Sequence, residues 1–399
     1  MRTGVAMTTT ALRVPTRAEL VARARDLQPL LRRHVADGEV YRRQADDVIE
    51  ALTAAGLFRL FTPRRFGGYS TSLRAHVDVT EALAEADGSA AWVVGVATGG
   101  AWVSAHASER AQEEVFGPDP DVRFSGSANP APARRVDGGL RVDGRWAYAS
   151  GSPHASWAGV AAAAADDHGQ PVDPYFCLVP RSDIGLEDTW HTVGMRGTGS
   201  HTWVGDDLFV PEHRSFAITP VADGSPRHEE PLYRLPFAPV ATLNLMGTLL
   251  GLGRAALDYT IEHASTKSMH HTFFARQSDS VAVQVQTAEA ALKLQTARLH
   301  THRIADDLDA AAISGGTLDY ADRAQIRAQA GYAVQQVLEA IQILLNVHGA
   351  AGFAETSPLQ QIWRDANTGG RHAGLNAAVG YEVFGKVLLG VPERISAMV

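Results

Sequence analysis

Residues 344–353 read Leu344-Leu345-Asn346-Val347-His348-Gly349-Ala350-Ala351-Gly352-Phe353, followed by Ile362-Trp363-Arg364-Asp365 and then Arg371-His372-Ala373-Gly374. The apolar residues leading into this stretch, Val337, Leu338, Ile341, Leu344 and Leu345, recur at three- and four-residue steps. Such spacing buries one face of a helix, here expected over 320–348. Similar patterns cover 241–264, 281–309 and 368–389, and four long helices predict an antiparallel bundle. The segment after the Arg-Asp pair holds no carboxylate. Its one side chain that exchanges protons near neutrality is the imidazole of His372.

Toward the N-terminus the period changes. Between 122 and 210, Leu140, Val142, Trp146 and Tyr148 alternate with polar or small residues, and Asp137-Gly138-Gly139 and Asp143-Gly144 are hairpin-type turns. Further strands are expected over 157–165, 175–179 and 202–210, which together predict an antiparallel β-domain of sandwich or barrel type. From 17 to 116 the pattern is helical again, with Leu27, Leu30, Leu31 and Val35 on one face and Ile49, Leu52 and Leu57 on another. Gly56 and the turn residues of 63–68 interrupt it. The chain therefore divides into an N-terminal helical domain (1–118), a central β-domain (119–225) and a C-terminal four-helix bundle (226–399), an α+β multi-domain protein. Gly247, Gly251 and Gly253 lack the third glycine and the preceding strand of a dinucleotide loop, and read as sites of close helix approach.

Composition narrows the function. The chain has 399 residues, 45% of them hydrophobic, and a formal net charge of −8. The acidic balance disfavours nucleic acid as a partner. A single cysteine, Cys177, excludes an internal disulfide and any multi-cysteine metal site. No secretory leader is evident before Thr10, and no segment approaches the roughly 18 uncharged apolar residues of a membrane span. The expectation is a cytoplasmic protein, with Met1 or Met7 as start. His270-His271, His300 and His302 form no His-Glu-x-x-His motif, so no metal site is expected and all four read as solvated or capping. Nor is there a Gly-x-Ser-x-Gly elbow.

The order helical, β, helical bundle is similar to that of the acyl-CoA dehydrogenases, and local motifs agree along nearly the whole chain. Leu57-Phe58-Arg59-Leu60-Phe61-Thr62-Pro63-Arg64-Arg65-Phe66-Gly67-Gly68-Tyr69 resembles the family's N-terminal signature, with Gly88-Ser89-Ala90-Ala91-Trp92 and Glu113-Glu114-Val115-Phe116-Gly117 in register. In many of those dehydrogenases a glutamate after the Arg-Asp pair removes the substrate's α-proton, and His372 occupies that neighbourhood here. Gly144-Arg145-Trp146-Ala147-Tyr148-Ala149-Ser150-Gly151, with His154 and Trp157, resembles the two-component flavin monooxygenases built on the same fold. These include hydroxyphenylacetate hydroxylase oxygenase components, a hydroxylase of steroid breakdown, dibenzothiophene monooxygenase and amino-sugar N-oxygenases.

The resemblance implies roles. Reduced flavin, FMN first and FAD second, would meet O₂ as co-substrate and form a C4a-hydroperoxide. Ser150 and Gly151 would contact the isoalloxazine, the serine hydroxyl accepting from N5–H, with Trp146 and Trp157 as walls. A strand-end serine bonded only to backbone is the alternative. His372 would give a proton to the peroxide or take one from a substrate hydroxyl. Ser125 and Trp92 would line the substrate pocket, and Gly99, where related phenol hydroxylases carry a histidine, would leave it roomier. Arg276, Asn346, His348 and Gly349 would reach cofactor across a subunit interface in a homotetramer. Arg364 and Asp365 read as an interhelical ion pair.

No nicotinamide fingerprint follows any strand, so a separate NAD(P)H:flavin reductase would supply the reduced flavin. The expected reaction is hydroxylation of an aromatic or polycyclic metabolite, or oxidation of a nitrogen or sulfur centre. Two rivals stay open: an acyl-thioester dehydrogenase, for which Glu355, Glu382 and Glu393 fall at the wrong offset, and a catalytically silent flavin-binding protein.

Overall fold

Thr16 and Glu19 open the first helix as a capping box, each side chain accepting from the other's backbone N–H. That helix, α1 (Arg17–Tyr41), leads to α2 (Asp46–Ala54), α3 (Leu73–Ala84), α4 (Gly88–Ser104) and α5 (Glu109–Phe116). The computed structural model describes residues 13–164, 174–222, 224, 228–396 and 399, and Met1, Met7 and Ala165 lie outside them.

Among the described residues seven strands follow: β1 (Phe124–Val136), β2 (Gly139–Ala149), β3 (Trp157–Ala164), β4 (Tyr175–Pro180), β5 (Gly185–Glu187), β6 (His201–Pro211) and β7 (Ser215–Ala217). They form one sheet in the order β5-β6-β2-β1-β3-β4-β7. The expected all-antiparallel pairing needs correction, because β1 and β3 run parallel, Phe124 beside Trp157 and Ser127 beside Val160. The reason is topological. The β1–β2 hairpin returns the chain to the start of β1, and β3 then departs from that same end on β1's other edge.

One face of the sheet buries Trp146 against its register partner Trp203, with Val142, Ala158, Val160 and Cys177 around them. A Cβ at Gly144 would lie 2.6 Å from the Trp146 ring, so glycine is what lets the indole fold back over the strand. Burial pushes the Cys177 thiol up to about 12, which leaves it inert. On the other face Phe124 meets α4, where a Cβ at Gly100 would come within 2.2 Å of the phenylalanine Cβ.

A single turn, α6 (Thr219–Ala222), precedes α7 (Phe237–Ala264), α8 (Val281–Ser314), α9 (Tyr320–His348), α10 (Pro358–Gly369) and α11 (Ala377–Leu388). The expected bounds of α9 are met at both ends. The helix expected over 368–389 is instead broken: α10 ends at Gly369-Gly370, and Asn376 starts α11 afresh by accepting from the N–H of Ala378 and Val379. Cβ atoms at Gly247, Gly251 and Gly253 would fall 2.1 Å from Thr80 Oγ1, 2.3 Å from Glu81 O and 2.4 Å from Leu294 Cδ2. Helix packing is therefore their role. α7 is long and apolar enough to cross a membrane, contrary to the sequence expectation, but 83% of its apolar window is buried inside the fold. It is the core helix, sharing contacts with α3, α4, α8 and α9.

Candidate active site

α4 is wedged between sheet and bundle, which explains why it is apolar all round. From it Trp92 projects, nearly buried, and its Nε1 donates to Ser150 Oγ at 3.2 Å. Ser150 sits just past β2 in a tight turn where Tyr148 has φ 63° and Gly151 φ 79°. A non-glycine residue in that region carries strain and often marks a functional turn. Gly151 N donates to Thr198 O at 2.7 Å, fixing this turn to the 196–200 loop. On Trp92's other side stands His372, edge to ring at 5.8 Å between centroids. Residues from the sheet, the N-terminal helices and the end of the bundle thus converge on one tryptophan. Met195, Trp92 and Leu249 meet around Gly369 and give the junction an apolar floor.

His372 lies in the break between α10 and α11 rather than in a helix, and its Nδ1 accepts from Gly374 N at 3.2 Å. That bond places the neutral ring's hydrogen on Nε2. The ring is accessible to solvent yet surrounded by protein on most sides, as a recess wall would be, and this desolvation lowers its pKa. The shift favours the neutral imidazole.

Behind Ser150 runs a chain of hydroxyls that sequence reasoning missed. Ser150 Oγ lies 2.7 Å from Ser200 Oγ, which lies 2.6 Å from Thr198 Oγ1, and Thr198 donates to Met195 O at 2.7 Å. The signal was present in Arg196-Gly197-Thr198-Gly199-Ser200, two hydroxyls flanking a glycine at φ 55°. Met195 N in turn donates to Asp365 Oδ1. Arg364 makes the expected interhelical ion pair, with Glu39 of α1 at 2.8 Å, and also bonds Val193 O, whereas Asp365 accepts from the Met195 backbone instead. Asp365 is fully enclosed beside a cavity of about 490 Å³ that Asp87 also lines.

Burial, with Glu39 and Asp87 adding to it, pushes the Asp365 carboxyl up to about 8. A raised folded pKa means the stability this group contributes is complete below its unfolded value near 3.9 and is lost as pH rises through 8. Asp365→Asn keeps an acceptor for Met195 N–H without the ionisation. Its melting temperature should pull ahead of the parent from pH 4 upward and level off above pH 8; parallel melting curves across that range would refute the assignment.

Other expected residues are placed differently. Trp146 is no cofactor wall: its ring is sealed in the sheet core and Nε1 donates to Ala161 O at 3.0 Å. Trp157 is half-buried, with the Arg214 guanidinium 5.3 Å from its ring centroid. Ser125 does not line an open pocket, being 0% exposed on the Trp203 side of the sheet, its Oγ without a partner among the described residues. Gly99 serves packing, since a Cβ there would lie 2.6 Å from Asn244 Nδ2 on α7. His154 is desolvated, its pKa lowered to about 4.

Arg276 pairs with Asp279 at 2.8 Å on the surface, and Asn346 is exposed, accepting from Gln342 at 3.1 Å. His348 is buried against Tyr259 and His263, and Gly349 ends α9 with φ 77°. None of these four contacts Ser150, Trp92 or His372 within the chain. His302 is not solvated as expected but joins Asp78 at 3.2 Å and Glu81 at 3.7 Å. Arg74 and Arg298 already pair with those carboxylates, so the cluster reads as an ion-pair network between α3 and α8.

Residues 18–118 match the N-terminal domain, and 245–377 the C-terminal domain, of the acyl-CoA dehydrogenases. The chain is 34% identical over 372 residues to the flavin-dependent monooxygenase oxygenase subunit HsaA of Rhodococcus jostii (strain RHA1), covering 92% of this chain and 97% of that one. The chain belongs to this family of flavin-dependent monooxygenase oxygenase subunits. Other members agree. The FADH(2)-dependent resorcinol hydroxylase oxygenase component of Rhizobium sp. (strain MTP-10005) is 32% identical, covering 94% of this chain and 95% of that one. The structure of XiaF from Streptomyces sp., in complex with FADH2 and glycerol, superposes with a TM-score of 0.92 at 37% identity, covering 95% of this chain and 97% of that one.

Proposed function

We propose that this monooxygenase subunit binds reduced flavin at the Ser150–Trp92–His372 junction and hydroxylates an aromatic substrate held over the apolar floor. The convergence of those three side chains carries the reading. The residues fit a flavin edge: Ser150 Oγ already receives Trp92 Nε1–H and keeps a lone pair for a further donor. When bound, reduced flavin supplies the electrons that activate O₂, one oxygen passing to substrate and the other leaving as water. Trp92 and its apolar neighbours exclude water from that edge, which limits loss of oxygen as peroxide. His372 holds a proton on Nε2 and can donate a hydrogen bond to oxygen as charge develops there.

FAD is the preferred flavin, because FADH2 is the form named for both the resorcinol hydroxylase and XiaF. Those relatives' names as oxygenase components support a separate reductase partner and an aromatic substrate. A cytoplasmic setting, where reduced nicotinamide is at hand, follows from that reading. A homotetramer is proposed because Val281, Val285, Leu292 and Leu299 leave an exposed apolar stripe on α8. Arg276, Asn346, His348 and Gly349 would then complete a neighbour's site, and sedimentation as a monomer would remove all four. A dehydrogenase role is disfavoured: Glu355, Glu382 and Glu393 are exposed surface residues, and Asp365 is buried and committed to Met195.

The deciding experiment mixes the protein with reduced FAD, then with oxygenated buffer and a panel of phenols and indoles under ¹⁸O₂. Delayed return of oxidised-flavin absorbance and one ¹⁸O atom in product are expected. Immediate reoxidation with only hydrogen peroxide formed would sink the reading.

A further inference from the structure

The hydroxyl chain behind Ser150 has a fixed direction. Three short O···O contacts link Ser150 to Ser200, Ser200 to Thr198 and Thr198 to Met195 O, at 2.7, 2.6 and 2.7 Å. Each needs one hydrogen, since two oxygens that close without one repel. Three hydroxyls supply three hydrogens, one per contact. A carbonyl cannot donate, so Thr198 must give its hydrogen to Met195 O. Ser200 must then donate to Thr198, and Ser150 to Ser200. Reversing the direction would strand the Thr198–Met195 contact with no hydrogen.

Ser150 therefore has no hydrogen left to offer. It accepts from Trp92 Nε1, and its remaining valence is a lone pair. We propose that Thr198 and Ser200 act as positioning residues that make Ser150 an acceptor-only contact and so select reduced over oxidised flavin. This rests on the flavin-oxygenase reading above. Reduced isoalloxazine carries a hydrogen on N5 and completes Ser150's valence. Oxidised isoalloxazine presents an N5 lone pair to a lone pair, and a buried acceptor pair left unmatched is costly. An oxygenase fed by a separate reductase needs this preference, because it must take up the reduced form and release the spent one.

The test measures dissociation constants of reduced FAD (anaerobically) and oxidised FAD for four proteins. The parent should hold the reduced form about tenfold tighter or more, the scale of one unmade buried hydrogen bond. Ser200→Ala and Thr198→Val release the Ser150 hydrogen toward N5, so the ratio should fall severalfold, chiefly through tighter binding of oxidised FAD. Ser200→Thr restores the hydroxyl and should restore the ratio. The two-electron potential of bound flavin should drop with it, by about 30 mV for each tenfold lost. A merely structural role would weaken both forms alike and leave the potential unmoved. An unchanged ratio in a folded Ser200→Ala protein that binds both forms overturns the proposal alone. Failure of the parent to bind FAD in either state overturns the oxygenase reading together with it.

Discussion

Product formation in His372→Ala should fall about a hundredfold, the scale on which a single positioned proton-bearing side chain contributes, while reduced-flavin affinity stays within a few-fold. The ring touches Trp92 only by its edge, and Ser150 does not depend on it. Two further variants separate the nitrogens. His372→Asn keeps an acceptor for Gly374 N–H and hence the turn, but loses the distal donor, so it should be as slow as alanine. His372→Gln can place an amide N–H near the Nε2 position and should recover part of the rate. The pH profile offers an independent reading: desolvation lowers this histidine's pKa, so the acid limb assigned to it lies below 6.5 in the parent and vanishes in the glutamine variant. Alanine turning over at the parental rate, with the same yield of product per flavin, would remove His372 from the chemistry.

The second large effect is on stability. Trp146→Ala should cost about 3–5 kcal/mol, the range for emptying a fully buried aromatic site, and read out as a lowered melting temperature. The indole packs against Trp203 inside the sheet and donates to Ala161 O, so Trp146→Phe should restore much of the packing while leaving that carbonyl unmatched. Flavin affinity measured below the melting transition should stay close to parental. Were affinity to collapse with an unchanged melting temperature, Trp146 would be a cofactor wall after all.

The contrast between Trp146 and Ser150 shows what a linear reading can resolve. Both lie in one motif, and the period-two pattern identified β2 correctly. It grouped Trp146 correctly with Leu140 and Val142 on the buried face, but it also placed Tyr148 there, whose backbone turns to φ 63° and leaves the ring 71% exposed. The bundle helices were legible from apolar spacing, down to both ends of α9. The break before α11 was not, since Gly370 and Asn376 are modest signals within an otherwise helical pattern. The parallel pairing of β1 and β3 depends on which edge the returning chain takes, a choice with no local marker. Thr198 and Ser200 sit far from Ser150 in sequence and gain meaning only once the 196–200 loop docks onto the end of β2.

Because His372 stands in the gap between α10 and α11, its side chain is uncoupled from the register of either helix. A different functional group can be set there without rewinding either helix, provided the replacement still accepts from Gly374 N and so keeps the turn. The position therefore offers laboratory selection a place to vary the chemistry on a fixed frame.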